Sequence, residues 1–386
     1  MYHIKKIKVS DLNNLFLYLV FLKPGIINDI SWLDFLFNAF RFGFTILFAI
    51  LMILHRKKWK SVLYPLLIFL FSFLSTWINE GNLSIVMGHW VPILGFLLWF
   101  ELQKDKNMSF IRIFYKTGLL MMVINTWLII TNPEGIYTRN EGYINVWLLG
   151  QKQDFVNCYL PTMFFAFMIH ETKPFSFFEV LVWIFAAIGL VITKPLGLSF
   201  CLIYFVLIIG INKIAAIDLK GLFILNVVYE IFAVITAFAI STWVNLQNFL
   251  LLLPSTSMNK LETMLVRFSM WKYVISIIPD HFFLGVGQMN ANQWLKNTNL
   301  NFYHTIMHNL PLDILFVGGG IAFSIFILYE IKSINCLRKN EDKRVNKIIG
   351  VSLHTLNVLM LTECPYFPLA FILFSLAHHV EKIKSD

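Results

Sequence analysis

Apolar runs of roughly 17–25 residues recur along this chain from end to end, and that pattern leaves few folds open. Inside a bilayer the backbone must satisfy its own hydrogen bonds, so only helices and closed barrels can span it. Runs of this length suit a helix, whereas a barrel strand needs only about 9–11 residues. Composition agrees: of 386 residues, 58% are hydrophobic and 14% charged, against about 25% charged in soluble domains. The expected fold is therefore an all-α integral membrane protein, a single polytopic domain over 1–386. Spans are expected near 12–28, 32–54, 61–78, 85–101, 113–131, 154–170, 177–193, 197–211, 220–240, 309–331, 346–360 and 364–380. The first is the weakest, because Lys23-Pro24-Gly25 interrupts it. Met1–Lys8 is basic, yet no small-residue cleavage site follows the first apolar run, so no cleavable signal is expected.

A net charge of +9 invites a nucleic-acid reading, and its distribution rejects one. Taken alternately, the connectors on one side hold 22 of the 31 basic residues, among them Lys5, Arg56, Lys57, Lys106, Lys332, Arg338 and Lys382. The other side holds eight: Lys23, Arg139, Lys152, Lys194, Lys260, Arg267, Lys272 and Lys296, while Arg41 lies within a span. By the positive-inside rule the rich side is cytoplasmic, so both termini face inward and the long connectors outward. The four cysteines (Cys158, Cys201, Cys336, Cys364) are scattered and suggest neither a disulfide framework nor a zinc site.

Two outer connectors are long, about 132–153 and 241–308. Loops beyond about 12–15 residues are usually functional or disordered, and these are rich in Trp, Tyr, Gly and Asn without low-complexity repetition. Asn259-Lys-Leu-Glu262 resembles a capping box, and Leu261, Leu265, Phe268, Ile275 and Ile278 follow at helical spacing. That predicts an amphipathic helix on the outer surface, ending at Pro279. No period of 20–50 residues repeats and the halves are not alike, which disfavours a repeat-built transporter.

The polar residues that could carry chemistry gather at the outer face. Arg267 either anchors the surface helix by snorkelling or binds phosphate, for which its planar fork is suited. His304 and His308, four apart, would share one face of a helix. A catalytic zinc normally needs a third protein ligand, and only His281 is near in sequence. Interfacial packing or general acid/base work are the other readings. Arg41, costly in a membrane at about 2.5–3.5 kcal/mol, should face the bundle interior or a cavity, with Asp34 as a structural partner. Glu363, in the last outer hairpin, is either a solvated charge or a salt partner of the site.

The passage His308-Asn-Leu-Pro-Leu-Asp-Ile-Leu-Phe-Val-Gly-Gly-Gly320 resembles the H-N-x-x-L…G-x-x-G signature of the O-antigen polymerase and O-antigen ligase superfamily. Upstream, Arg267-Phe-Ser-Met-Trp271 and Phe283-Leu-Gly-Val-Gly287 resemble its R-x-x-x-W followed by a G-x-G turn. Arg139-Asn-Glu-Gly142 and Leu149-Gly-Gln-Lys-Gln-Asp-Phe155 are similar to pieces of capsule polymerases. The resemblance covers the two outer loops; elsewhere it rests on span number and topology. Pro311 departs from the pattern but suits the first turn of a helix.

The resemblance implies a glycosyltransferase of GT-C architecture, a bundle of about twelve helices in the cytoplasmic membrane. Its reaction would join undecaprenyl-pyrophosphate-linked oligosaccharide repeat units on the outer face, with inversion, without metal and without cofactor. It further implies His308 as the catalytic residue, with Arg267, Arg139, Arg41, His304, Trp271 and Glu363 binding substrate. Membrane lipid, a chain-length regulator and a flippase are the implied partners, and nucleic acid is not one. A polysaccharide ligase and a transporter of lipid-linked oligosaccharide stand as alternatives.

Overall fold

The computed structural model describes residues 9–57, 59, 61–103, 107–139, 144–170, 174–215, 221–222, 224–226, 228, 267, 270–298, 307–339, 344–360, 363, 366 and 368–379. Helices dominate: α1 (Val9–Leu22), α2 (Ser31–Leu54), α3 (Leu63–Ile78), α4 (Leu83–Gln103) and α5 (Asn107–Thr131) come first. After a short hairpin, β1 (Tyr137–Arg139) and β2 (Ile144–Val146), follow α6 (Val156–Ile169), α7 (Phe177–Thr193) and α8 (Leu196–Ala215). The C-terminal part holds α9 (Ala291–Thr298), α10 (Leu310–Arg338), α11 (Arg344–Met360) and α12 (Pro368–His378). Among the described residues, α2, α4, α5 and α10 are long and apolar enough to cross a membrane, and several shorter apolar helices accompany them. This is a helical, membrane-embedded protein. The expected span at 220–240 and the capping box Asn259–Glu262 lie outside the described residues or nearly so.

Local sequence explains where the helices stop. Lys23 and Lys194 both take left-handed backbone (φ 47° and 53°) and both precede proline, which cannot continue a helix and pushes its predecessor out of the α region. The first helix therefore ends at Leu22, short of the expected residue 28, and a 3-10 turn Gly25–Asp29 follows. At α7 a complete capping box joins Ser176 and Glu179. The shorter outer connector holds the β-hairpin, in which Tyr137 pairs with Val146 and Arg139 with Ile144.

Lipid tails are as apolar as leucine, so tight packing holds membrane helices together more than hydrophobic exclusion does. Aromatic rings supply much of that packing. Phe96, Trp99, Phe110 and Phe114 interlock between α4 and α5, with Phe110 and Phe114 centroids 4.1 Å apart. Phe21 of α1 stacks on Trp99. Large apolar side chains also cover the outside, including Trp32, Phe35 and Ile53 of α2 and Phe178 of α7, as expected of a surface that faces lipid. The most extensive helix contact is α10 along α3, with α12 packed on both α10 and α4. Those four helices carry the frame on which the polar site is built.

Candidate functional site

Helix α10 is broken by design at Gly319, whose φ of 72° and ψ of −176° lie outside helical space. Such a break strands the carbonyls before it and the amides after it, and buried backbone groups must find partners elsewhere. The loop 282–287 supplies them. Val286 N donates to Phe316 O (2.7 Å) and Gly287 N to Val317 O (3.2 Å), while Gly320 N donates to Phe282 O (2.6 Å). Gly285 and Gly287 also have positive φ, and a Cβ on Gly285 would stand 2.5 Å from Gly319 N. Two glycine motifs remote in sequence thus form one joint. From it, Gln288 continues to α3 and α4, donating to Thr76 Oγ1 (2.9 Å) and accepting from Asn82 N (2.7 Å).

His308 lies just ahead of α10, not on it. Its backbone is left-handed (φ 53°); His304, expected to share a helical face with it, lies outside the described residues. Asn309 caps α10, its side chain accepting from Leu312 N at 3.0 Å, and Pro311 occupies the first turn. On the other flank both peptide groups of Met307 are engaged. Its N–H donates to Asp313 Oδ1 (3.1 Å), and its carbonyl accepts from Trp271 Nε1 (2.7 Å). Trp271 sits in the helical stretch 270–277 and is only 9% exposed. Trp271, expected among the substrate-binding residues, thus also holds the backbone just before His308.

Glu363, in the connector between α11 and α12, brings the polar groups together. One carboxylate oxygen accepts from Arg267 Nη2 at 3.3 Å, and the other lies 3.1 Å from His308 Nδ1. The side chains of Arg267, His308 and Glu363 are 22%, 26% and 27% exposed, accessible to solute yet sheltered from bulk water. Burial raises the Glu363 carboxyl, but the His308 bond and the Arg267 charge outweigh it and hold the group below its ordinary value. The solvated-charge reading of Glu363 is thereby replaced by a bridging carboxylate. Three residues on, Tyr366 donates to Asp313 Oδ2 (2.6 Å) and stacks flat on His89 of α4 (centroids 4.5 Å apart).

Arg139 and Arg41 are held by other partners. Arg139 is ion-paired with Asp29, which also accepts from Tyr137. The Asp29 bond raises the Arg139 guanidinium further. Asp154, just before α6, is pushed up to about 6, chiefly by burial; the charges of Arg139, Asp29 and Glu363 all act on it. Asp154 is therefore an electrostatic neighbour of Arg139, Asp29 and Glu363 alike, and sequence reading passed over it. Arg41 does face the interior, but Asp34 pairs with Lys23 instead. Arg41 donates to the carbonyls of Val20 (2.9 Å) and Phe21 (2.7 Å) at the end of α1, a C-terminal cap from a neighbouring helix. Among the described residues no three His, Cys, Asp or Glu side chains are grouped to hold a metal ion.

Comparison with protein-family models, with characterised proteins and with solved structures gives no match to this chain. What the site can do must therefore be argued from its own chemistry. A carboxylate on one nitrogen of an imidazole orients the ring and fixes which nitrogen is free to exchange a proton. An arginine beside it offers a fixed positive charge to a phosphate-bearing ligand.

Proposed function

We propose that the chain is an inverting membrane glycosyltransferase that polymerises undecaprenyl-pyrophosphate-linked oligosaccharide repeat units at the outer face of the cytoplasmic membrane. In this reading it is a bundle of twelve spans of GT-C type with both termini inside. The observation that carries the proposal is the Arg267–Glu363–His308 triangle, set at the start of an apolar helix long enough to cross a membrane. It joins three residues singled out by motif or position in otherwise distant segments.

An acceptor sugar hydroxyl, from a second lipid-linked repeat unit, attacks the anomeric carbon of the donor. Its oxygen forms the new glycosidic bond as the bond to the pyrophosphate oxygen breaks, and the hydroxyl proton passes to His308. With Glu363 on Nδ1, the ring would receive that proton at Nε2, and the carboxylate stabilises the imidazolium that results. Undecaprenyl pyrophosphate departs with the bonding pair, and Arg267 stabilises the charge that builds on it. Arg139, in the shorter outer loop, is assigned to the same anion. For Arg41 the structural contacts already described account for its position.

The test is polymerisation in vitro by the purified protein, with synthetic undecaprenyl-pyrophosphate-linked repeat units as donor and acceptor. A ladder of products supports the reading. Single transfer to a lipid-core acceptor with no ladder would make the protein a ligase, and no transfer to either would refute a transferase.

A further inference from the structure

Asp313 is almost fully buried (1% exposed) at the start of α10, an expensive place for a carboxylate in a membrane protein. A carboxylate in a first helical turn ordinarily serves the exposed amides of its own helix. This one reaches outside. One oxygen accepts from Met307 N, one residue before His308, and the other from Tyr366, three residues after Glu363. Asn309 already provides the helix cap, so Asp313 is not needed for that task.

The two contacts fall on the two halves of the proposed catalytic pair. Holding Met307 from its amide, while Trp271 holds its carbonyl, fixes the backbone from which His308 projects. That backbone is left-handed, a conformation that a non-glycine residue keeps only when its surroundings impose it. Holding Tyr366 fixes the connector that carries Glu363, and the flat stack of Tyr366 on His89 anchors that connector to α4. We infer that Asp313 is a positioning residue: its carboxylate clamps the His308 segment to the Glu363 connector and so sets the distance within the pair. The inference rests on the transferase reading, but its geometric content can be read without activity.

The experiment compares wild type with Asp313→Ala, Asp313→Asn and Tyr366→Phe, each purified in detergent. Three quantities are measured: polymerisation kcat and KM, the thermal midpoint, and the rate of His308 carbethoxylation by diethyl pyrocarbonate, followed by mass spectrometry. Asp313→Ala should lower kcat by about 10–100-fold, the range expected when a reacting group is displaced by about 1 Å. KM for the donor should stay within about twofold, and His308 should be modified several-fold faster. Asp313→Asn keeps an acceptor for Met307 N and should recover most of kcat. Tyr366→Phe removes one hydrogen bond and should show the same kcat and modification changes in weaker form, with an unchanged midpoint. If Asp313→Ala fails to fold, Tyr366→Phe decides. Unchanged carbethoxylation in the folded variants would overturn the clamp, as would losses of kcat that merely follow losses of thermal midpoint. A wild-type protein that transfers to neither a lipid-linked repeat unit nor a lipid-core acceptor would instead refute the transferase reading, with the carbethoxylation comparison still deciding the clamp.

Discussion

Replacing Glu363 by glutamine keeps its shape and removes the charge that links Arg267 and His308. In the wild type the carboxylate lies 3.3 Å from one and 3.1 Å from the other. Two unit charges about 4 Å apart attract by about 4 kcal/mol at an effective dielectric near 20, but each partner here is roughly a quarter exposed. Solvent and salt reduce the net effect, so about 1–2 kcal/mol is expected for the hydrogen-bonded imidazolium. At about 1.36 kcal/mol per decade this lowers kcat about 5–30-fold. Initial rates of ladder formation by the purified variant, with saturating donor, measure it. Stability should respond as well, with a defined sign. The folded-state value of Glu363 is depressed, so its stabilisation is present above the ordinary carboxylate range and lost as pH falls through the lower folded value. Glu363→Gln should therefore melt below wild type at pH 7.5, with the gap closing under acid conditions. Wild-type kcat together with an equal midpoint at pH 7.5 would refute the bridging role.

Two further outcomes follow. Arg267→Lys keeps the charge but loses the planar fork, and should lower kcat/KM for the lipid-linked donor by about 10-fold; normal ladders at normal expression would return Arg267 to an interfacial anchor. Gly319→Ala puts a side chain into a backbone region open almost only to glycine and against Phe283 O, at about 2–3 kcal/mol. Its detergent thermal midpoint should fall by several degrees, and an unchanged midpoint would contradict the joint between the two glycine motifs.

The sequence was legible wherever the signal was local. Apolar run length located most of the described helices, Lys23-Pro24-Gly25 was visible as an interruption of the first span, and Pro311 suited the first turn of α10. The Gly285/Gly287 turn and the Gly318–Gly320 run were visible as motifs, but nothing local said that each completes the other's hydrogen bonds. Glu363 is 96 residues from Arg267 and 55 from His308, so its bridging place depends on how α10, α11 and α12 pack. Arg41 could be read as inward-facing from the cost of burying charge, but its choice of carbonyls over Asp34 is set by the approach of Lys23. Strands of three residues, such as Tyr137–Arg139, are too short for alternation to register. Asp313 and Asp154 escaped notice because burial, which makes each unusual, is a property of the folded chain.

His308→Ala tests the central claim most directly. Purified wild type and variant are given the same synthetic lipid-linked repeat units, and products are resolved by ladder length. The account predicts that the variant folds, inserts and melts like wild type while polymerisation falls by about 10²–10⁴-fold, the usual loss on removing a positioned acid/base group. Retained ladders in His308→Ala would contradict it.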